Sequence, residues 1–206
     1  EKDYDAILIA TGVYKARQLD IDTSSVNNSI PALDFLIESN RTGLGDSPSK
    51  NKYLTAKDKH VVVIGGGDTA MDCVRTAIRQ QAKEVTCLYR RNKENMPGSA
   101  REVLNAEQEG IKFNWLSVPS KIISDNSTAT SMTYKVATLG EVDESGRRKP
   151  IDTGVEKQIK SDLIIQALGF EPEDLNHNFK TNIELTSWKT VKVDFKKFQT
   201  SNPKIF

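Results

Sequence analysis

The stretch Val61-Val62-Val63-Ile64-Gly65-Gly66-Gly67-Asp68-Thr69-Ala70 constrains this chain more than any other. Four apolar residues, three of them valines, predict a buried strand. The glycines then force a tight turn. Beyond them apolar residues fall at Ala70, Cys73, Val74, Ala77 and Ile78, the spacing of a helix with one buried face. Strand, turn and helix together are the context in which the spacing G-x-G-x-x-A carries meaning. Gly65 permits the turn, Gly67 lets backbone approach a pyrophosphate, and Ala70 keeps helix and strand close. The helix N-terminus offers N–H groups and a positive dipole to an anion.

The residues beyond the helix sharpen the reading. Glu84-Val85-Thr86-Cys87-Leu88-Tyr89 predicts a second strand, closed by Arg90-Arg91. A site for NAD places an acidic residue about 20 residues past the turn, where it holds the ribose hydroxyls. Two arginines stand there instead, and a guanidinium fork suits a 2′-phosphate. The unit reads as NADP-binding.

Composition narrows the rest. The 206 residues suffice for one large domain, or for one domain and part of another. A hydrophobic share of 37% with 28% charged residues describes a folded chain. A net charge of +1 gives no footing for nucleic acid. No apolar run approaches the roughly 20 residues of a membrane span, and no signal peptide pattern is present, so no membrane partner is expected and the expected location is the cytoplasm. Cys73 and Cys87 make neither a disulfide framework nor a C-x-x-C motif. Both read as core residues. His60 and His177 have no partners at metal-ligand spacing, and no Ser/His/Asp or Cys/His set stands out.

In chain order, Glu1 to Asp5 lead into Ala6-Ile7-Leu8-Ile9-Ala10-Thr11-Gly12, which predicts a buried strand. Pro203-Lys204-Ile205-Phe206 predicts the entry to another. Both ends thus fall at strands that need neighbours, and a piece of a larger protein is expected. Residues 13 to 28 read as a polar connector and Pro31–Ser39 as a short helix. Residues 40 to 59 read as a loop. Ser99-x-x-Glu102 has the form of a capping box, opening a helix with Ala100, Val103, Leu104 and Ala106 inward and Gly110 at its end. Ile111, Phe113 and Trp115 alternate as a half-buried strand. Several β segments are predicted from 121 to 160, with a turn at Asp143-Glu144-Ser145-Gly146 and a solvated tip at Arg147-Arg148-Lys149. Asp162 to Gly169 predicts a buried strand, and Ile183, Leu185, Val191 and Val193 a small final β element.

The strands ending in Ala10-Thr11-Gly12 and Ala167-Leu168-Gly169 flank the nucleotide unit. This resembles the two-dinucleotide-binding flavoprotein fold, an α/β architecture in which a Rossmann-like NADP domain is inserted into an FAD domain, with these strands as the crossovers. On that basis the expected division is 1–29 for the end of an FAD-domain segment and connector, 30–165 for the NADPH domain, and 166–206 for the returning FAD-domain segment.

Longer blocks narrow the resemblance. Ala10-Thr11-Gly12-Val13-Tyr14-Lys15-Ala16-Arg17, Gly65 to Thr76, Cys87-Leu88-Tyr89-Arg90-Arg91, Asn95-Met96-Pro97-Gly98-Ser99 and Ala167 to Leu175 resemble the small (beta) subunits of NADPH-dependent glutamate synthase. Dihydropyrimidine dehydrogenase is similar over the same region. The resemblance implies hydride transfer from NADPH to FAD, then electron flow through iron–sulfur clusters to a large subunit. There glutamate is made from 2-oxoglutarate and ammonia released from glutamine.

Carried over by motif, Gly65, Gly66, Gly67, Asp68 and Thr69 would line the pyrophosphate and ribose. Arg90 and Arg91 would hold the 2′-phosphate, Ala167, Leu168 and Gly169 would lie along the nicotinamide, and Thr11 and Gly12 near the flavin. The family's cysteine clusters, its FAD-binding glycine fingerprint and its later Gly-Asp segment do not occur in these residues. By themselves they are therefore expected to hold NADP(H) without FAD and to be inactive. No side chain is expected to do acid–base chemistry. A carboxylate at Asp68 should repel a pyrophosphate; turning away as a helix cap is one resolution. The rival readings are an NADPH–flavin subunit serving another acceptor, and a non-catalytic NADP-binding module.

Overall fold

The computed structural model describes residues 3–142 and 146–206, so Glu1, Lys2 and the expected turn residues Asp143, Glu144 and Ser145 lie outside it. The elements run β1 (Lys15–Ala16), β2 (Ser29–Pro31), α1 (Ala32–Gly43), β3 (His60–Ile64), α2 (Asp68–Arg79), β4 (Glu84–Leu88), α3 (Ala100–Gln108), β5 (Lys112–Asn114), β6 (Ser117–Asp125), β7 (Thr128–Val142), β8 (Arg148–Lys160), β9 (Leu163–Gln166), β10 (Phe170–Glu171) and α4 (Leu175–Phe179). They form two compact units, one of residues 18–169 and one of residues 1–17 with 170–206.

The larger unit is built on a parallel sheet of order β2-β9-β3-β4-β5. Alternate strand residues face opposite sides, and each side has its own cover. Val61, Val63, Val85, Cys87, Leu163 and Ile165 meet Phe35, Met71, Val74 and Val103 from the helices. Val62, Ile64, Leu88 and Ile164 meet Ala129, Met132 and Tyr134, which belong to the antiparallel sheet β6-β7-β8. Burial on both faces is why β3 and β9 read as unbroken apolar runs. Each such side chain contributes about 1.5–3 kcal/mol on burial.

The unit starts earlier than the expected boundary at 30, because the connector takes part in the core. Asn28 is fully buried. Its amide donates to the carbonyls of Ala129 and Asp162 and accepts from the Ala129 N–H. A buried amide with its capacity filled in this way ties β7 to the start of β9. The unit also runs past 165, since Gln166 completes the β9 pairing and Ala167 N–H donates to Ile64 O at 2.8 Å.

Several local expectations are corrected. The helix after Pro31 extends to Gly43, with Asp34 in its first turn and Arg41 in its last, both suited to its dipole. Residues 40–59 therefore hold the end of this helix and a short 3-10 turn at Lys52–Leu54 as well as loop. Val103 and Ala106 are buried in α3 as expected, but Leu104 is 51% exposed and Ala100 is also exposed. The helix turns only a narrow stripe inward, toward α2.

In the smaller unit, Ala6–Ala10 is not a buried strand. It makes one parallel bridge, Ile7 to Ile205, and Leu8 is 77% exposed. Among the described residues only one edge of the segment is paired, and none covers Leu8. The final β element reduces to isolated bridges at Leu185–Val191 and Asp194–Gln199.

Candidate functional site

The three glycines have three different roles. Gly65 sits at φ +143, and a Cβ there would stand 2.1 Å from the Ala167 carbonyl oxygen. That glycine lets the ends of β3 and β9 cross closely. A Cβ on Gly66 would enter the Tyr89 ring at 2.4 Å. Gly67 is the α2 N-cap in extended conformation, and nothing lies within 4 Å of where its Cβ would be. Open space thus adjoins the first turn of α2, whose leading N–H groups have no intrahelical acceptor. A side chain on Gly67 would stand in this open space. Ala70 is fully buried beneath the turn.

The segment from Asn92 to Ser99 crosses the turn as a strap. Gly98 N–H donates to Gly66 O at 2.9 Å, Tyr89 Oη donates to Asn95 O at 2.8 Å, and Ser99 N–H donates to Asp68 Oδ1 at 2.7 Å. The Asp68 carboxylate therefore has a partner of its own. It is not a cap for its own helix, whose N-cap is Gly67. The capping box expected at Ser99 and Glu102 does not form, for Ser99 makes no side-chain cap bond. Glu102 instead pairs with Arg75, which also donates to Glu109 at 2.7 Å. Arg75 is the stronger partner for Glu102 because a charged pair outweighs a neutral amide. The roles of Tyr89 and Gly98 escape a reading of the sequence; the glycine in Asn95-Met96-Pro97-Gly98-Ser99 is the signal that could have found the strap.

The two arginines part company. Arg90 is exposed at the end of β4. Arg91 is only 6% exposed, and its Nε donates to Arg148 O at 2.7 Å. The C-terminal ends of β3, β4 and β9 are in register, Ile64 opposite both Leu88 and Gln166. Gly65–Thr69, Tyr89–Arg90 and Ala167–Gly169 accordingly share one edge of the sheet, where the strand order reverses. Leu168 is half-buried against the second core, and Gly169 is exposed at φ +81. Thr11 and Gly12 belong to the smaller unit. There they line an open hollow of about 200 Å³ with Ile9, Pro172, Leu175 and Thr190.

Other reactive groups are absorbed by the fold. Cys73 and Cys87 are fully buried, and burial pushes both thiols up, Cys87 to about 12. At the opposite end of β3, His60 bonds Asp162 through its ring and its backbone N–H, at 2.7 and 2.9 Å. Among the described residues no group of His, Cys, Asp and Glu could hold a metal ion, and no helix is long and apolar enough to cross a membrane.

Comparison with known proteins gives the family and the fold. A family model described as pyridine nucleotide-disulphide oxidoreductase matches residues 1–206. The chain is 47% identical over 205 residues to the glutamate synthase (NADPH) small chain of Azospirillum brasilense, covering 98% of this chain and 42% of that one. It is 40% identical over 210 residues to the protein of that name from Escherichia coli (strain K12), covering 99% and 44%. The chain spans about half the length of the curated relatives it matches. Thioredoxin reductase of Lactococcus lactis shares the fold, with a TM-score of 0.69 at 22% identity over 98% of this chain and 55% of that one.

Proposed function

The chain belongs to the pyridine nucleotide-disulphide oxidoreductase family, and on that premise we propose that residues 18–169 are the NADPH-binding domain of a flavoprotein oxidoreductase. The observation that carries this is the open space at Gly67 beside the first turn of α2. In the same reading, residues 1–17 and 170–206 belong to the FAD domain.

The roles of the residues follow from their positions. The Gly67 backbone and the leading N–H groups of Asp68 and Thr69 receive the pyrophosphate. Arg90, exposed on the same sheet edge, takes the 2′-phosphate. Ala167, Leu168 and Gly169 form the wall along the nicotinamide, and Thr11 and Gly12 stand on the flavin side. When bound, NADPH supplies a hydride and FAD accepts it, so the protein contributes orientation and electrostatics.

By its likeness to the small chains of Azospirillum brasilense and Escherichia coli, the whole protein is proposed to be the small subunit of a cytoplasmic glutamate synthase. Its electrons would pass through iron–sulfur clusters to a large subunit that forms glutamate from glutamine and 2-oxoglutarate. Clusters do not fit Cys73 and Cys87, which are buried apart from any ligand set among the described residues. Their ligands would lie outside this chain.

The test uses protein expressed from the complete reading frame. Addition of NADPH under anaerobic conditions should bleach the flavin's visible absorption. With the large subunit present, NADPH oxidation should require both glutamine and 2-oxoglutarate. Flavin left oxidised by NADPH would overturn the nucleotide assignment. Flavin that is reduced by NADPH, with NADPH oxidation that does not depend on those two substrates, would point to another acceptor.

A further inference from the structure

We propose that Asp68 is a positioning residue, which holds the Asn92–Ser99 strap so that the Gly66–Gly67 peptide stays turned with its N–H toward the phosphate space. The inference rests on the NADPH-binding function proposed for this unit and concerns how the glycine turn keeps its shape.

The problem the strap solves is built into the sequence. Two successive glycines carry no Cβ, so the peptide between them can rotate among several arrangements. Only one directs the Gly67 N–H at a ligand. In a trans peptide the carbonyl of Gly66 and the N–H of Gly67 lie in one plane and point in opposite directions. No cis peptide occurs among the described residues. Fixing the Gly66 carbonyl therefore fixes the Gly67 N–H.

Gly98 does this fixing. Its N–H donates to Gly66 O at 2.9 Å, and the Tyr89 ring occupies the space where a Gly66 side chain would stand. Gly98 comes this close because it lacks a side chain; a Cβ there would lie 3.1 Å from Gly66 O. The strap is in turn held at two points. Tyr89 Oη holds it at Asn95 O, and Asp68 Oδ1 holds it at Ser99 N–H, the residue after Gly98. Asp68 also begins α2, so the residue after the turn anchors the strap that shapes the turn. This accounts for a carboxylate beside a proposed pyrophosphate: its oxygen is engaged by an N–H of the strap. Pre-setting the peptide spares the ligand the cost of ordering it.

The test compares two ligands on protein from the complete reading frame: NADP⁺, and adenosine 2′-monophosphate, which has the 2′-phosphate but no pyrophosphate. Asp68→Ala and Gly98→Ala should each weaken NADP⁺ by roughly three- to tenfold, the scale of one lost hydrogen bond. Binding of adenosine 2′-monophosphate should stay at the wild-type value. Asp68→Asn keeps an oxygen acceptor for Ser99 N–H and should bind NADP⁺ as tightly as wild type or tighter. Thermal unfolding identifies any variant that is not folded, and Gly98→Ala reaches the same peptide from the other side of the strap. Asp68→Ala indistinguishable from wild type, Asp68→Asn as weak as Asp68→Ala, or parallel loss of both ligands would overturn the proposal. A wild-type protein that binds neither ligand would remove the NADPH reading itself, and this inference with it.

Discussion

Gly65 and Ala167 approach so closely that a Cβ on Gly65 would stand 2.1 Å from the Ala167 carbonyl oxygen. The neighbour is backbone at the end of a central strand, so it cannot swing aside. Gly65 also sits at φ +143, a region that side-chain-bearing residues avoid. Gly65→Ala should therefore destabilise the fold by about 3 kcal/mol or more. Gly67→Ala, with open space and φ of −91, should leave unfolding within about 0.5 kcal/mol of wild type while weakening NADPH. Urea titration of both variants checks this; equal stability of the two would place the close crossing elsewhere.

The strand–turn–helix core was legible because its residues answer to local rules. Val61–Ile64 is buried on both faces, and Ala70, Cys73, Val74 and Ala77 all face the core, as their spacing predicted. What escaped prediction depends on partners distant in sequence. Ser99 and Glu102 have the spacing of a capping box, yet Glu102 is drawn to Arg75 and Ser99 N–H to Asp68. Leu8 and its neighbours have the composition of a buried strand, but burial needs a covering layer that composition does not reveal. Arg90 and Arg91 are identical in sequence terms. The carbonyl that marks Arg91 off as a buried residue belongs to Arg148, 57 residues further on.

Cys73 and Cys87 should be unreactive in the native protein. Each is fully buried, and burial raises the Cys87 thiol to about 12. The nucleophilic thiolate is then almost absent near neutral pH. A disulfide reagent should label neither residue until denaturant is added, and rapid labelling without it would show that the core opens.

The Arg75–Glu109 pair should leave a mark on acid stability. The hydrogen bond from Arg75, opposed by burial, holds the Glu109 carboxyl below its ordinary value of 4.5. A folded-state value lower than the unfolded one means stability that is complete above the unfolded value and is lost as pH falls through the folded one. Glu109→Gln should cost about 1–2 kcal/mol near neutral pH. The gap between variant and wild type should then narrow as pH drops below about 4.5. Unfolding curves taken across that range measure it; a gap that is constant with pH would mean that the pairing contributes nothing.

Nucleotide choice should depend on Arg90 and fold stability on Arg91. On the proposed binding mode the glycine turn and the α2 N-terminus would treat NADH and NADPH alike, since both carry the same pyrophosphate. Discrimination must come from the adenosine ribose, where one phosphate distinguishes them. Arg90 is exposed on the sheet edge that carries the turn, whereas Arg91 is 6% exposed and bonds Arg148 O. A charge-assisted hydrogen bond is worth roughly 1.5–3 kcal/mol, or about ten- to a hundredfold in affinity. Wild type should therefore prefer NADPH by at least about tenfold. Arg90→Ala should remove most of that preference and leave NADH binding nearly unchanged. Arg91→Ala should lower stability by about 1–3 kcal/mol, because the buried side chain loses both its packing and its hydrogen bond to the Arg148 carbonyl, and the surviving folded protein should keep its preference. Raising the salt should shrink the wild-type preference, since the contact is ionic and solvent-facing. Paired titrations of both nucleotides, with unfolding measured on the same samples, separate the two roles. Equal affinities in the wild type would remove the 2′-phosphate contact altogether. Loss of preference in a fully stable Arg91→Ala protein would transfer that contact from Arg90 to Arg91.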